Sequence, residues 1–403
     1  MPKSQRPVPR KSPATPEDKD HALTQSLCQL ALEVAEQEDG ETLGAALGEQ
    51  AQQLQKLVRK LLHQNKDTVL YEAIELARDE DVGAYQLLRA SIEEAAATVV
   101  VRRDAAPPME INAFLIPLFV HSTGGLRKEQ ECQDADGFEA LVASIQQGQL
   151  ESAKAKVVLM RHIYDLGEID SITYCHLHDM VRDAHASLTE KKLAATPALE
   201  RSVGSWAGGD FGPQDAAMEL RFLLGFALKR VDDPFYAVPA EEAAADDYFA
   251  ARMERYRQWT LVAADLVKRC LAPAGTPLEC NFLYQDLFFG GKEQGMREYF
   301  MLQTMADMNQ ALQQHRLTPG QVGAIVAPAD VNGAMVMRVS LTGHADGALL
   351  CSSDQPLDLG ADLQDEVDDL CDALLTIGVT DLSVAPRFDA SGAAPGARPY
   401  RPR

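Results

Sequence analysis

Ala217-Met218-Glu219-Leu220-Arg221-Phe222-Leu223-Leu224-Gly225-Phe226-Ala227-Leu228-Lys229 is the stretch on which the reading of this chain turns. Every even position from Met218 to Leu228 is a large apolar residue. The odd positions hold Glu219, Arg221, Leu223, Gly225, Ala227 and Lys229. A period of two sustained over this length predicts a β-strand with one face on a core. Wound as a helix, the same side chains would segregate poorly. The spacing therefore predicts a long strand with helices on its oily face. Gly225 and Ala227 leave room for a close neighbour on the other.

Working outward, the pattern upstream is α/β. Ile111 to Val120 reads as a strand, although Pro117 inside it has no N–H for a ladder and predicts an edge, a bulge or an early end. Phe138, Leu141, Val142 and Ile145 space as a short helix closed by Gly148. Lys156 to Tyr164 is apolar on both faces, which predicts an interior strand. A helix follows, capped by Asp170 and running to about Glu190. Residues 195–215 carry Pro197, Gly204, Gly208, Gly209, Gly212 and Pro213, a long irregular loop. Downstream, a long helix covers about Glu241 to Leu271. An apolar run from Leu278 to Phe289 favours a strand, and a second long helix follows to about His315.

The two ends of the chain differ from this middle. Thr15-Pro16-Glu17-Asp18 is a helix start, with a capping threonine, a first-turn proline and acids at the positive end of the dipole. Apolar residues then recur at helical steps through four segments up to Val99, an all-helical front. At the far end, strands near 321–327, 334–341 and 348–352, a helix 361–377 and a strand 379–385 form a compact unit. Asn332-Gly333 and Asp346-Gly347 are its hairpin turns.

The fold class expected is thus α/β or α+β. It is a mixed sheet with packed helices, preceded by an all-helical N-terminal region and followed by a small ββ(β)αβ unit. The expected organisation is a disordered basic tail over 1–15, a helical region over 16–104, a central α/β domain over 105–275, a C-terminal α/β domain over 276–386 and a second disordered basic tail over 387–403. An echo between Gly124-Gly125…Lys128-Glu129-Gln130 and Gly290-Gly291-Lys292-Glu293-Gln294 raises an internal duplication as a further possibility.

Composition narrows the function classes. The net charge of the 403 residues is −22. The first eleven residues and the stretch from Arg387 onward are basic, so the body between them is more acidic than the total. Such a body repels phosphate backbones, which makes nucleic acid an unlikely partner except through the basic tails. No apolar run approaches the length of a bilayer span, and no secretory leader is visible. Seven cysteines, odd in number and without a C-x-x-C pair, point to reduced thiols in a cytoplasmic protein.

Three groups of residues are candidates for chemistry. His178, Asp179 and His185 belong to a polar cluster with Cys175, His176 and Arg182. Cys175, His178, Arg182 and His185 share a helical stripe, which offers a proton-transfer histidine or a metal ligand set, with a solvated polar face as the alternative. His178-Asp179 resembles the paired ligand of HD-type metal phosphohydrolases, but those are all-helical and the likeness is two letters. Gly290, Gly291 and Lys292 open a helix, where free N–H groups and a lysine would hold a phosphate or carboxylate of a cofactor; turn glycines are the alternative. The acids Asp358 to Asp372 crowd one helix without calcium-loop spacing and read as a solvated face or a surface for a basic partner. The cofactor stays unknown, and the pattern names no metal.

The helical front, Ile111-Asn112-Ala113-Phe114-Leu115-Ile116-Pro117, the Met218–Lys229 strand and the ending Leu374-Leu375-Thr376-Ile377-Gly378-Val379-Thr380 together resemble an uncharacterised bacterial domain-of-unknown-function family. That resemblance implies a bacterial cytosolic protein and supplies no catalytic residue. The expectation is a non-catalytic protein that binds a protein partner or regulates one. The alternative is a hydrolase or transferase acting on a phosphorylated or otherwise anionic small molecule.

Overall fold

A computed structural model describes residues 15–38, 45–102, 106–122, 134–148, 155–189, 218–233, 238–271, 275 and 277–402. The expectations for residues 1–14, for the 195–215 loop and for the Gly124-Gly125 half of the duplication fall outside these. The fold is mixed α/β with packed helices. Its elements begin with α1 (Pro16–Glu38), α2 (Ala45–His63), α3 (Asp67–Glu80) and α4 (Val82–Ala97), then β1 (Thr98–Val101) and β2 (Met109–Ser122). Next come α5 (Ala135–Gln147), β3 (Lys156–Asp165), α6 (Leu166–Ser171), α7 (Tyr174–Thr189), β4 (Met218–Arg230) and α8 (Glu242–Leu271). The chain continues through β5 (Leu278–Phe282), β6 (Asp286–Leu287), α9 (Phe288–His315), β7 (Val322–Val331), β8 (Ala334–Gly343) and β9 (Leu349–Pro356). It finishes with α10 (Leu363–Thr376), β10 (Asp381–Val384) and β11 (Arg398–Pro399).

Chain contacts divide the molecule into two compact units. The first runs to Phe114 and resumes over α5–α7 and Leu224–Leu271. The second takes Leu115 onward in β2, the β4 residues up to Leu223, and the chain beyond α8.

In the first unit α1–α4 pack around Leu27, Leu54, Leu61, Leu70 and Leu88, all fully buried. The fourth helix ends two residues earlier than expected. Thr98-Val99-Val100-Val101 is β-branched throughout and continues as β1, paired antiparallel with Met109–Asn112. Asp67, in the first turn of α3, reaches across to α7. Its carboxylate accepts from the Cys175 N–H at 3.0 Å and the Thr173 hydroxyl at 2.8 Å. That bond caps α7. Asp170, expected as the cap, lies inside α6, which starts from the capping box of Asp165 and Glu168.

One sheet has the strand order β1-β2-β4-β3, and β5 and β6 also pair with β2. The Met218–Lys229 strand is present, but its burial differs from the expected one-sided pattern. Met218 is 42% exposed, and every residue from Leu220 to Lys229 is buried, on both faces. A strand with a neighbour on each side and cover above and below reads as a buried run, whatever its alternation. β3 corrects the opposite way: it ends the strand order, so its doubly apolar pattern reports cover on both faces and not an interior place. Pro117 is tolerated because it falls between the stretch of β2 that pairs with β1 and the stretch, Leu118–Ser122, that pairs with β5.

Gly225 answers to a close approach, as its neighbours suggest. A Cβ there would stand 2.2 Å from Phe114 Cζ and 2.8 Å from Leu159 Cδ2. The phenylalanine ring lies across the glycine. On α8 the packed face is Tyr256, Trp259, Leu266 and Val267, and the Trp259 indole donates to Ser144 Oγ on α5 at 2.9 Å. Met253 and Val262, on the same helix, are exposed.

In the second unit β7, β8 and β9 form an antiparallel meander. The chain crosses over through α10 and lays β10 parallel to β7, with β11 antiparallel beyond it. Asn332 and Gly333 both have positive φ, 56° and 86°, as a two-residue hairpin of this type requires. Helices α9 and α10 cover one sheet face through Met308, Leu312, Leu370 and Leu374 against Val326, Val339 and Leu341. A buried polar seam sets the height of α9 on β9. Ser353 donates to Asp307 at 2.8 Å and Gln355 to Thr304 at 2.8 Å.

The segment 387–403, expected as a disordered tail, is built into this unit over 387–402. Phe388 is 4% exposed, its N–H donates to the Pro328 carbonyl at 2.8 Å, and Tyr400 N–H donates to Leu382 at 2.8 Å. Its arginines and prolines suggested a tail, but Phe388, Tyr400 and these backbone bonds hold it.

Two glycine substitutions separate these packing claims from general fragility. Gly225→Ala forces a methyl group into Phe114, and denaturant melts should show a loss of about 2–3 kcal/mol. Gly48, on α2, has nothing within 4 Å of a built Cβ. Gly48→Ala should gain about 0.5–1 kcal/mol from helix propensity alone.

Candidate functional site

α7 presents its polar residues in three different environments. His178 is 3% exposed; its Nδ1–H donates to the Ala95 carbonyl at the end of α4, at 3.1 Å. Its Nε2 is buried without a hydrogen-bond partner, and the His63 ring meets it edge-on at 4.9 Å between centroids. Burial pushes the His178 pKa below the ordinary histidine value. His63 and Arg182 push the same way, against the Ala95 carbonyl and Asp179. Asp179 points elsewhere and lies 3.6 Å from Arg182 on its own helix. His185, two turns beyond His178, is half-buried. The helix does align His178 and His185, but the first is committed to the α4–α7 contact and Asp179 is on another face. Among the described residues no group of three or more His, Cys, Asp or Glu side chains is placed to hold a metal ion. Cys175, beside them, is buried and its thiol is pushed up to about 12 by desolvation and then by Asp67. A thiol held protonated in this way is a packing residue.

Gly290, Gly291 and Lys292 also have a structural explanation. α9 begins at Phe288, so the glycines lie within its first turn and do not precede it. A Cβ on Gly291 would stand 2.9 Å from the Leu115 carbonyl oxygen. One on Gly295 would stand 2.9 Å from Phe222 and 3.0 Å from Pro117. These two positions, one helical turn apart, let α9 lie directly on β2 and β4. A Cβ on Gly290 would meet Asp286 Oδ2 at 2.5 Å. The Asp286 carboxylate therefore covers the helix start where a phosphate would have to sit, and its charge would repel one.

The sheet face of the second unit opposite α9 and α10 gathers polar residues that spacing alone did not single out. The Arg338 guanidinium grips Asp354 with two bonds of 2.7 Å, and the Phe388 ring lies 5.9 Å from the guanidinium carbon. Ser340 and Ser352 hydroxyls meet at 2.9 Å, and His344 Nε2 meets Asp381 Oδ2 at 2.8 Å. Phe388 packs with Ala327 and Ala329, flanked by Ile325, Val336, Ala385 and Ala394. Arg387 lies 3.5 Å from Asp330. Local spacing does not give the Arg338–Asp354 pair: a two-residue turn at Asp346-Gly347 would place Arg338 opposite Gln355, and an irregularity at Leu341/Thr342 shifts the register by one.

The hold on 385–402 has two ends, Phe388 on this face and Tyr400 against the core that α9 and α10 cover, and the part on this face is small. Burying one phenylalanine is worth about 2–3 kcal/mol, an exposed ion pair at most about 1 kcal/mol, and each backbone bond about 1 kcal/mol. Asp389 to Ala393 is a self-contained turn on the Asp389 carboxylate and adds nothing to the hold.

A groove of about 910 Å³ on the first unit runs between α1 and α3, past Gln25, Gln29, Leu76 and Glu80. Ser26 and Gln29 spend hydrogen bonds on their own helix, to Ala22 and Glu33. No helix among the described residues is long and apolar enough to cross a membrane. The chain matches no family model, no curated protein and no solved structure.

His178 makes stability depend on pH in a defined direction. Its folded pKa is depressed, so its contribution is complete above the unfolded value of about 6.5 and is lost as pH falls through the folded value. Urea melts should show wild-type stability dropping as pH falls below about 6.5. His178→Asn keeps a donor for Ala95 and should flatten that drop; an unchanged pH profile would show that the buried ring does not titrate.

Proposed function

We propose that this chain acts by binding a protein partner of basic character, as a regulatory or scaffolding protein, without covalent chemistry. One observation carries the reading. Two of the residues nominated for chemistry are occupied in the scaffold, His178 holding α4 and Gly291 seating α9, and Asp286 covers the helix start that sequence nominated for an anion. What remains available is surface, and that surface is acidic. The exposed side of α10 carries Asp365, Asp369 and Asp372, on a chain of net charge −22. A field of that sign steers basic partners and repels phosphorylated ligands. The reading takes in the resemblance to a bacterial domain-of-unknown-function family, and with it a bacterial cytoplasmic setting.

The test uses an array of extended basic peptides of about 15 residues against the full chain, together with thermal melts in nucleotides and sugar phosphates. Saturable binding by a subset of peptides, weakening by about tenfold or more from low to physiological salt, is expected, with melts unmoved by the small molecules. A melting rise of several degrees with one phosphorylated compound, abolished in Lys292→Ala, would replace this reading with an enzyme acting on that compound.

A further inference from the structure

We infer that residues 385–402 are a built-in occupant of a peptide-docking edge on the five-stranded sheet, and that a basic partner segment displaces them. The inference rests on the partner-binding reading above and names its site, its ligand class and its control.

The geometry has three parts. First, the segment behaves as a bound peptide would. It adds a two-residue strand, β11, to β10 through Ser383↔Pro399 and Val384↔Arg398, and lends backbone N–H groups at Ala385, Phe388 and Tyr400 to carbonyls of Val326, Pro328 and Leu382. Strand addition with one side-chain anchor is a common mode of peptide recognition. Second, its hold is local. Phe388 is buried, Tyr400 packs half-buried against the core that α9 and α10 cover, and Arg387 and Asp330, which pair beside Phe388, are each about half exposed. Segments held by few buried contacts open without global unfolding.

Third, the site's chemistry is legible from what fills it. The anchor subsite is Ala327 and Ala329 beside the Arg338–Asp354 fork, a flat aromatic-sized bed with a cation under the ring. Asp330 receives an arginine immediately before the aromatic. Beyond β11, the Tyr400 hydroxyl bonds Asp368 on α10, and burial with that carboxylate pushes the phenol up to about 12. The fitting ligand is therefore an extended protein segment with an Arg-aromatic pair and further positive charge. The acidic α10 face supplies the charge complement. The chain's own segment, carrying Arg387, Phe388, Arg398 and Arg401, competes for the same place and keeps the edge closed until a tighter ligand arrives.

Two measurements on the full chain decide this. In hydrogen exchange of the wild type, the amides of Phe388 and Tyr400 should exchange at least about a hundredfold faster than those of Val326 and Val339 in the core of the same sheet. A labelled synthetic peptide with the sequence of residues 385–402 should bind the full-length Phe388→Ala variant about tenfold or more tighter than the wild type. The same peptide carrying Phe388→Ala should bind neither. Exchange of Phe388 and Tyr400 in step with the core, or equal peptide binding by both proteins, or by neither, overturns the inference. A dimer that forms by swapping the segment between copies also overturns it, since the occupant is then a second chain. If basic peptides bind the full chain saturably while these tests fail, partner binding stands and only this location and its control are lost.

Discussion

The structure depends on β4 being buried on both faces. From Leu220 to Lys229 no side chain reaches solvent, so each polar atom in the run must be answered from within. Lys229 is answered by Glu110 on β2 at 2.9 Å, and Arg221 by Glu219. Removing the acid from such a pair would strand a buried charge. Gly225, in the middle, has no side chain because Phe114 occupies the place where one would be. Around this strand the sheet has no slack, and the glycines at 291 and 295 apply the same rule where α9 meets Leu115, Pro117 and Phe222.

Tight packing also gives the most chemical-looking residues structural roles. A histidine three residues after a buried cysteine, or a Gly-Gly-Lys at a helix start, has the composition of a site. Burial decides otherwise. A neutral His178 with one nitrogen on a backbone carbonyl is a polar pin between two helices. Gly291 is small because a backbone carbonyl is 2.9 Å from where its Cβ would be. In each case the same residue type serves ligand binding or packing, and only the identity of the neighbour distinguishes them.

The two units show different balances of local and distant control. The meander of the second was legible almost strand by strand. Asn332-Gly333 demands positive φ at both positions, and alternation on either side then sets which residues share a face. The Arg338–Asp354 pairing was not legible, because a register shift at Leu341/Thr342 moves it one residue from what a two-residue Asp346-Gly347 turn would give. The 387–402 segment was not legible, because proline, glycine and arginine are what an unpacked tail contains. Phe388 against two alanines and Tyr400 against the core that α9 and α10 cover reverse that reading, and nothing in their own neighbourhood marks them.

The sequence by itself determined the elements: the period-two run at β4, the helical front, the hairpin turns and the small C-terminal meander. Those follow from backbone preferences and side-chain periods within a few residues. Only the tertiary structure decided which faces are covered, that β3 lies at the end of its strand order, that α7 is capped by Asp67 from over a hundred residues away, and that His178 lies inside the protein. Each of those is a contact between segments remote in the chain. Its energy comes from burial and from the pairing of desolvated groups, which no local pattern records.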